Sequence, residues 1–208
     1  MAEHGRAERG RPRGFDRTAA LEQAMLLFWR KTYEGTSIAD LTGAMGINAP
    51  SLYAAFGSKH ALFREAVAHY ADHHGTEIWR TLHEAPTIDA AVEGFLSATA
   101  QSYSAPGDPP GCLIVLGTQY AADEADPAYR ELRKRRRANL DEIADRMARA
   151  VAEGELPAGF DARGAAAFLL SVQTGMSVLA RDGAGRAALE AAARGGVLGW
   201  RGLGRLDS

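Results

Sequence analysis

A single cysteine, Cys112, among 208 residues rules out an intrachain disulfide and any cluster of thiolate metal ligands. No apolar run approaches the roughly 20 residues a membrane-spanning helix needs. The Arg-rich, acid-containing N-terminus has no apolar stretch of the signal-peptide kind, so the expected location is the cytoplasm. There is no phosphate-cradling glycine loop, no H-E-x-x-H and no strand-turn-helix nucleophile elbow; the 23 glycines are scattered over turns and the tail. These absences argue against an enzyme, and no cofactor is expected. Net positive charge is missing as well. A formal charge of −2 suits neither nonspecific coating of DNA nor a constitutive architectural DNA binder, since that affinity comes from Lys and Arg displacing counterions.

What is present begins with an ordinary globular composition, 46% hydrophobic and 24% charged, with room for one large or two small cores. Its most informative stretch is Gly35 to Phe63. Ser37 with Asp40 three residues on is a capping-box pattern, with Thr36 as an alternative cap. Ile38, Leu41 and Ala44/Met45 recur at helical spacing behind it, and Gly46 tolerates the left-handed backbone of a helix end. Ile47 is then a buried corner residue. Asn48 is a good N-cap for a second helix with Pro50 in its first turn, where a missing N–H costs nothing. That helix is very short: Leu52 and Phe56 face inward at i,i+4, Ser51, Tyr53 and Ala54 face out, and Gly57 ends it. Ser58 caps a third helix through Lys59, Leu62 and Phe63. Two helices joined by a tight glycine turn, the second short and outwardly polar or small, form the helix-turn-helix arrangement whose second helix enters the DNA major groove. On that reading Asn48, Ala49, Ser51 and Ala54 stand toward base edges, with Pro50 and Thr42 further DNA-binding candidates.

The run TSIADLTGAMGINAPSLYAAFGSK resembles the helix-turn-helix of the TetR (tetracycline-repressor) family. Tyr53, Phe56, Lys59 and Leu62 fall at that family's spacings together, and the match covers most of residues 15 to 70. Asn48, Ala49 and Pro50 depart from it, standing where members often have a Ser and a Gly. The resemblance implies an all-α fold with an N-terminal three-helix DNA-binding domain and a C-terminal helical ligand-binding and dimerisation domain. It implies phosphate contacts from Tyr53, Lys59, Thr36 and Ser37. It also implies a homodimeric regulator, a repressor released from a palindromic operator by a small-molecule effector. The effector pocket would lie among the middle helices, lined by some of Trp79, Phe95, Leu96, Tyr103, Leu113, Leu116, Gln119, Tyr120 and Phe168.

Along the chain, residues 1–14 cannot bury a face and read as a disordered basic arm. Arg11 and Arg13, flanking Pro12, suit the negative potential of a narrow minor groove, the alternative being a solubilising tail. Residues 15–70 are the expected DNA-binding domain and 71–208 the effector and dimerisation domain. Asp16 to about Lys31 is helical on the Leu21, Met25, Phe28 stripe. After Ser58 a connecting helix carries Leu62, Phe63, Ala66, Val67 and Tyr70, and the pattern extends past Gly75 to Ile78, Trp79 and Leu82. His69 and His73 at i,i+4 lack a third ligand, so solvated side chains are favoured over a metal site.

Thr87 or Asp89 opens a helix to about Tyr103, and residues 104–111 form a loop. Leu113, Leu116 and Tyr120 at helical spacing predict a buried helix to about Glu124. Cys112 reads as packing rather than as an oxidant sensor. Asp126-Pro127 starts a long helix to about Glu153. Its run Arg133-Lys134-Arg135-Arg136-Arg137 reads as a solvated face paired to acids such as Asp123, Glu131 or Glu142, not as a second nucleic-acid patch. Asp161 to about Leu179 is apolar on nearly every side with little chain left to cover it, which points to a second subunit. Gly185 to about Ala193 supplies the last helix of a four-helix dimer interface. The tail beyond it is expected to fray, with Trp200 able to dock.

Overall fold

In the computed structural model, residues 15–118 and 125–203 are described, and among them there are ten helices and no strand. None of these helices is long and apolar enough to cross a membrane. Helix α1 (Arg17–Lys31) starts where the Asp16 carboxylate accepts from the Thr18 and Ala19 N–H groups. Helices α2 (Ile38–Met45), α3 (Ala49–Phe56) and α4 (Lys59–His74) follow. α1 packs on α2 and α4, and α3 lies against both. The apolar stripes expected from spacing meet here: Phe28, Leu41, Leu52, Leu62 and Phe63 are fully buried, with the Phe28 and Phe63 rings edge to face at 5.1 Å. Side chains of this size contribute about 1.5–3 kcal/mol each when removed from water. Ile47, expected to be buried, is only half-buried at the corner.

The expected continuous connecting helix is broken. α4 ends at His74 and α5 (Thr76–Glu84) restarts after Gly75. Thr76 at the break donates its hydroxyl back to the Asp72 carbonyl at 2.9 Å, the local competition with backbone pairing that bends helices. His74 is meanwhile held from outside its helix by Asp108 at 3.3 Å and Glu22 at 3.7 Å.

α6 (Ile88–Tyr103) is capped by Thr87 and forms the centre of the second half, packed against α5, α9 and α10. The helix expected from Leu113 to about Glu124 is a single turn, α7 (Leu113–Leu116), within the described residues. Gly117 N–H closes the turn on Leu113, and the Gly117 carbonyl accepts from the Tyr33 N–H at 2.7 Å. Residues 119–124 lie outside the described residues.

α8 (Pro127–Ala152) and α9 (Ala162–Arg181) begin at Asp126 and Asp161, both accepting from first-turn N–H groups. α10 (Arg186–Leu203) overturns the expectation of a helix ending near Ala193 with a frayed tail. Its glycines are contact points. A Cβ at Gly196 would come within 2.8 Å of Leu96 Cδ1, and one at Gly199 within 2.6 Å of Phe168 Cζ. Trp200 docks: its ring is buried, and Nε1 donates to Asp89 at 2.7 Å.

The basic run on α8 divides. Lys134 and Arg137 are exposed, and Arg135 pairs with Glu131 at 3.4 Å. Arg136 turns inward and donates to the Ile114 carbonyl at 3.0 Å. Glu142, an expected partner of the run, is instead engaged by His83 at 2.5 Å, and Asp123 lies outside the described residues. His69 is bonded to Glu22 at 2.6 Å and His73 to the His69 carbonyl at 2.8 Å.

Candidate nucleic-acid interface and effector cavity

The corner between α2 and α3 is built by short-range chemistry. Ser37 accepts from the Asp40 N–H at 3.0 Å while the Asp40 carboxylate accepts from the Ser37 N–H at 2.9 Å, closing the capping box. Lys31 at the end of α1 reaches the same carboxylate at 2.8 Å. That lysine first, and Ser37 next, hold the Asp40 carboxyl far below the usual carboxylate range. Gly46 takes the left-handed backbone (φ 66°) at the end of α2, and Asn48 accepts from the Ser51 N–H at 2.9 Å to open α3.

α3 turns Leu52 and Phe56 inward and leaves Pro50, Tyr53 and Ala54 exposed, with Ala49 and Ser51 at its half-buried edge. Tyr53 is 46% exposed, a large aromatic left in solvent. The Arg17 guanidinium fixes the far end of this helix. It lies 4.4 Å from the Phe56 ring centroid and bonds Glu65 at 2.7 Å. Arg17 belongs to the Arg-rich N-terminal run, and its seat between Phe56 and Glu65 is a tertiary contact that spacing does not show.

Ser58 caps α4 by accepting from the Ala61 N–H, and Lys59 is the first residue of that 16-residue helix. A helix N-terminus with an adjacent cation is suited to a phosphate. Lys59 Nζ sits 4.3 Å from the Tyr33 ring centroid, and burial lowers its pKa while Glu34 and Asp126 oppose that shift. Tyr33 packs on Phe28 and Phe63, so the lysine is aimed by a ring that is itself part of the core.

The other residues expected to contact DNA are placed as follows. Thr36 is 1% exposed, and its hydroxyl donates to the Thr32 carbonyl at 2.6 Å, so it supports the corner and cannot reach a phosphate. Ser37 is exposed but its hydroxyl is engaged with Asp40. The Thr42 hydroxyl donates to the Ala39 carbonyl at 3.1 Å and is half-buried. Arg11 and Arg13 lie outside the described residues.

A cavity of about 210 Å³ opens between α4, α5, α6, α7, α8 and α9. One wall is apolar and aromatic, made by Tyr70, Ile78, Trp79, Tyr103 and Val115; the other carries Arg135, Arg136, Asn139, Glu142, Gln173 and Thr174. Of the residues expected around an effector pocket, Trp79 and Tyr103 line this cavity. Phe95, Leu96 and Leu113 are fully buried core, because α6 and α7 turn them away from the cavity. Phe168 packs under Gly199 of α10, and Leu116 leans toward Gly111. Gln119 and Tyr120 lie outside the described residues.

The polar wall was missed. Its signal was legible in retrospect: 135, 139 and 142 recur at helical spacing beside buried Leu132 and Ile143. Cys112 forms part of the aromatic wall. Its N–H donates to Ser177 Oγ at 2.9 Å, and its thiol acts electrostatically on Tyr70 and Tyr103. Burial first, and that thiol second, push both tyrosine pKa values up.

An exposed, capped helix set behind a glycine corner, carried on an all-helical body with an internal cavity, defines a helix-turn-helix regulator. The comparisons agree. The pattern of the family described as "Bacterial regulatory proteins, tetR family" matches residues 20–66. The HTH-type transcriptional repressor ComR of Escherichia coli (strain K12) is 34% identical over 177 residues, 85% of this chain and 84% of that protein. A cysteine-substituted variant of the TetR family transcriptional regulator CifR, solved with 26bp double-strand operator DNA, superposes with a TM-score of 0.87 at 40% identity. It covers 92% of this chain and 100% of its own. A TetR regulator of Chloroflexus aurantiacus, at 24% identity and a TM-score of 0.74 over 88% of this chain and 92% of its own, shares the fold. The chain belongs to the TetR family of transcriptional regulators.

Proposed function

We propose that the protein is a dimeric repressor that grips a palindromic operator when its cavity is empty and releases it when a small molecule binds. The observation that carries the DNA assignment is the outward face of α3, where a tyrosine and small side chains stand in solvent on a helix fixed at both ends. The operator DNA bound by CifR supports it. In this reading Tyr53 and Lys59 hold phosphates, while Asn48, Ala49, Pro50, Ser51 and Ala54 meet base edges, the alanines suiting thymine methyls. Asn48 uses its carbonyl oxygen on the cap and keeps its amide N–H groups for a base. The arm with Arg11 and Arg13 would lie in the minor groove.

A second copy would cover the outer face of α9 and α10, where Val178, Leu179 and Leu198 are exposed, Leu198 to 68%. Paired helices from two chains would set two α3 helices about 34–36 Å apart, one groove repeat. Residues 15–70 would then be the DNA-binding domain and 71–208 the effector and dimerisation domain, working in the cytoplasm without catalysis. A constitutive architectural binder fits less well, because such a protein has no use for an internal cavity. Selection of binding sites from a random duplex pool with the purified chain is expected to return an inverted repeat. Recovery of no duplex at low salt would sink the reading.

A further inference from the structure

We propose that the cavity binds a small organic carboxylate with an apolar body, and that Arg136 is the group that holds its charge. This rests on the effector reading above and names the ligand class for that site. The cavity's two walls differ in kind. The Ile78, Trp79 and Tyr103 side is shaped for a flat or branched hydrocarbon, and the α8–α9 side offers donors. Gln173 is only 4% exposed, and the one hydrogen bond of its amide nitrogen is a long 3.4 Å contact to Thr99.

The charges on the polar wall are not equivalent. Glu142 is engaged by His83, and Arg135 faces Glu131. Arg136 rests against a backbone carbonyl and the Tyr129 ring, 5.6 Å from its centroid, and among the described residues no carboxylate lies within ion-pair distance of it. The wall therefore carries Arg136, a cation with no carboxylate within ion-pair distance among the described residues, beside Asn139, Gln173, Thr174 and the Glu142 carboxylate that His83 engages. A planar guanidinium in a partly enclosed site favours a carboxylate, which takes two parallel N–H donations, over a neutral carbonyl or an amine.

Arg136 is also the point where ligand and DNA-facing surface connect. Its Nη1 holds the Ile114 carbonyl of α7, and that turn, through Gly117, accepts the Tyr33 N–H. The Tyr33 ring carries the Lys59 ammonium. A carboxylate that draws Arg136 off Ile114 loosens α7, and with it the seat of a phosphate-binding lysine. The route consists of three consecutive contacts, all within 4.3 Å.

The test is calorimetric titration of the full chain, without DNA, with 3-phenylpropanoate, hexanoate, 3-phenylpropanamide and 2-phenylethylamine. The two carboxylates are expected to bind at least about tenfold more tightly than the amide, the scale of charged over neutral hydrogen bonding. The amine should bind weakest. R136Q should bring 3-phenylpropanoate down to the level of the amide, and R136K should restore part of the preference. 3-Phenylpropanoate should weaken binding to the selected duplex in the wild type and leave R136Q unaffected. Amide or amine binding as tightly as the carboxylates, failure of both carboxylates to bind, or a preference retained in R136Q overturns the assignment. The wild-type ranking is informative even if R136Q fails to fold. Because the titrations contain no DNA, a chain that selects an inverted repeat but prefers neutral ligands loses only this inference, whereas a chain that selects no duplex loses the regulator reading.

Discussion

Arg181 Nη2 donates to the Trp29 carbonyl at 2.7 Å across 152 positions of sequence, tying the end of α9 to the end of α1. The same guanidinium reaches the Arg30 carbonyl at 3.4 Å and, through Nε, the Pro110 carbonyl at 3.2 Å. The last carbonyls of a helix have no intrahelical partner and carry partial negative charge, so a cation placed there is favourable. Burial lowers the Arg181 pKa, a cost that three carbonyl acceptors offset. Replacing it with Gln should cost about 1.5–3 kcal/mol in urea unfolding and speed amide exchange at the end of α1. If the helix is to hold the reading surface in register, R181Q should also lose its discrimination against operators lengthened by one base pair. Unaltered exchange in α1 would show that the joint is idle.

Lys59 and Ser51 should fail differently. Lys59→Gln removes a phosphate contact, so affinity should fall alike for all sequences and the slope of log affinity against log salt should shrink by about 1. Ser51→Ala should change which bases are preferred while leaving that slope alone. Fluorescence anisotropy over a salt series, on selected and scrambled duplexes, separates the two; a sequence-selective Lys59 effect would contradict the phosphate role.

Gly196→Val tests why α10 continues to Leu203. The added Cβ would sit 2.8 Å from Leu96 Cδ1 and 3.1 Å from Val172 Cγ1, with the helix backbone unable to retreat from a packed layer. Overpacking of this sort costs about 1–3 kcal/mol, readable as a lowered urea midpoint. Gly195→Ala, one position away and facing open space, should leave the midpoint unchanged or raise it.

The Asp40 carboxyl gives a signed pH dependence. Lys31 and Ser37 lower its folded-state pKa, below an unfolded value of about 3.9. Its contribution is therefore complete above about pH 4 and is lost as pH falls from there through the folded value. Melting temperature followed from pH 6 to pH 2 should drop more steeply for the wild type than for Asp40→Asn; parallel curves would mean the capping box adds nothing to acid stability.

Leu179→Glu combined with Leu198→Glu places charges on the exposed face of α9 and α10. Sedimentation should show a dimer for the wild type at micromolar concentration and a monomer for the double variant, with helix content retained. Operator binding should fall with dimerisation. A variant that stays dimeric would move the interface elsewhere.

The sequence by itself determined the corner. Ser37, Asp40, Gly46, Asn48, Pro50, Gly57 and Ser58 act on neighbours three or four positions away, so caps, turns and the inward Leu52–Phe56 pair follow from local chemistry. It also determined where α1, α6, α8 and α9 begin, since each has a capping Asp or Thr whose partners lie in its own first turn. Tertiary structure decided what depends on distant atoms. Thr36 became a buried support whose hydroxyl donates to the Thr32 carbonyl, and the turn after α7 is tied to α1's end by the Tyr33 N–H on the Gly117 carbonyl. The glycines of α10 read as breakers only until Leu96 and Phe168 are seen filling the space they leave. The cavity's polar wall emerged because α8 brings Arg135 and Arg136 to the cavity and seats Arg136 on the Ile114 carbonyl while Lys134 and Arg137 stay exposed, and a run of like charges does not by itself say which of its members meet another helix.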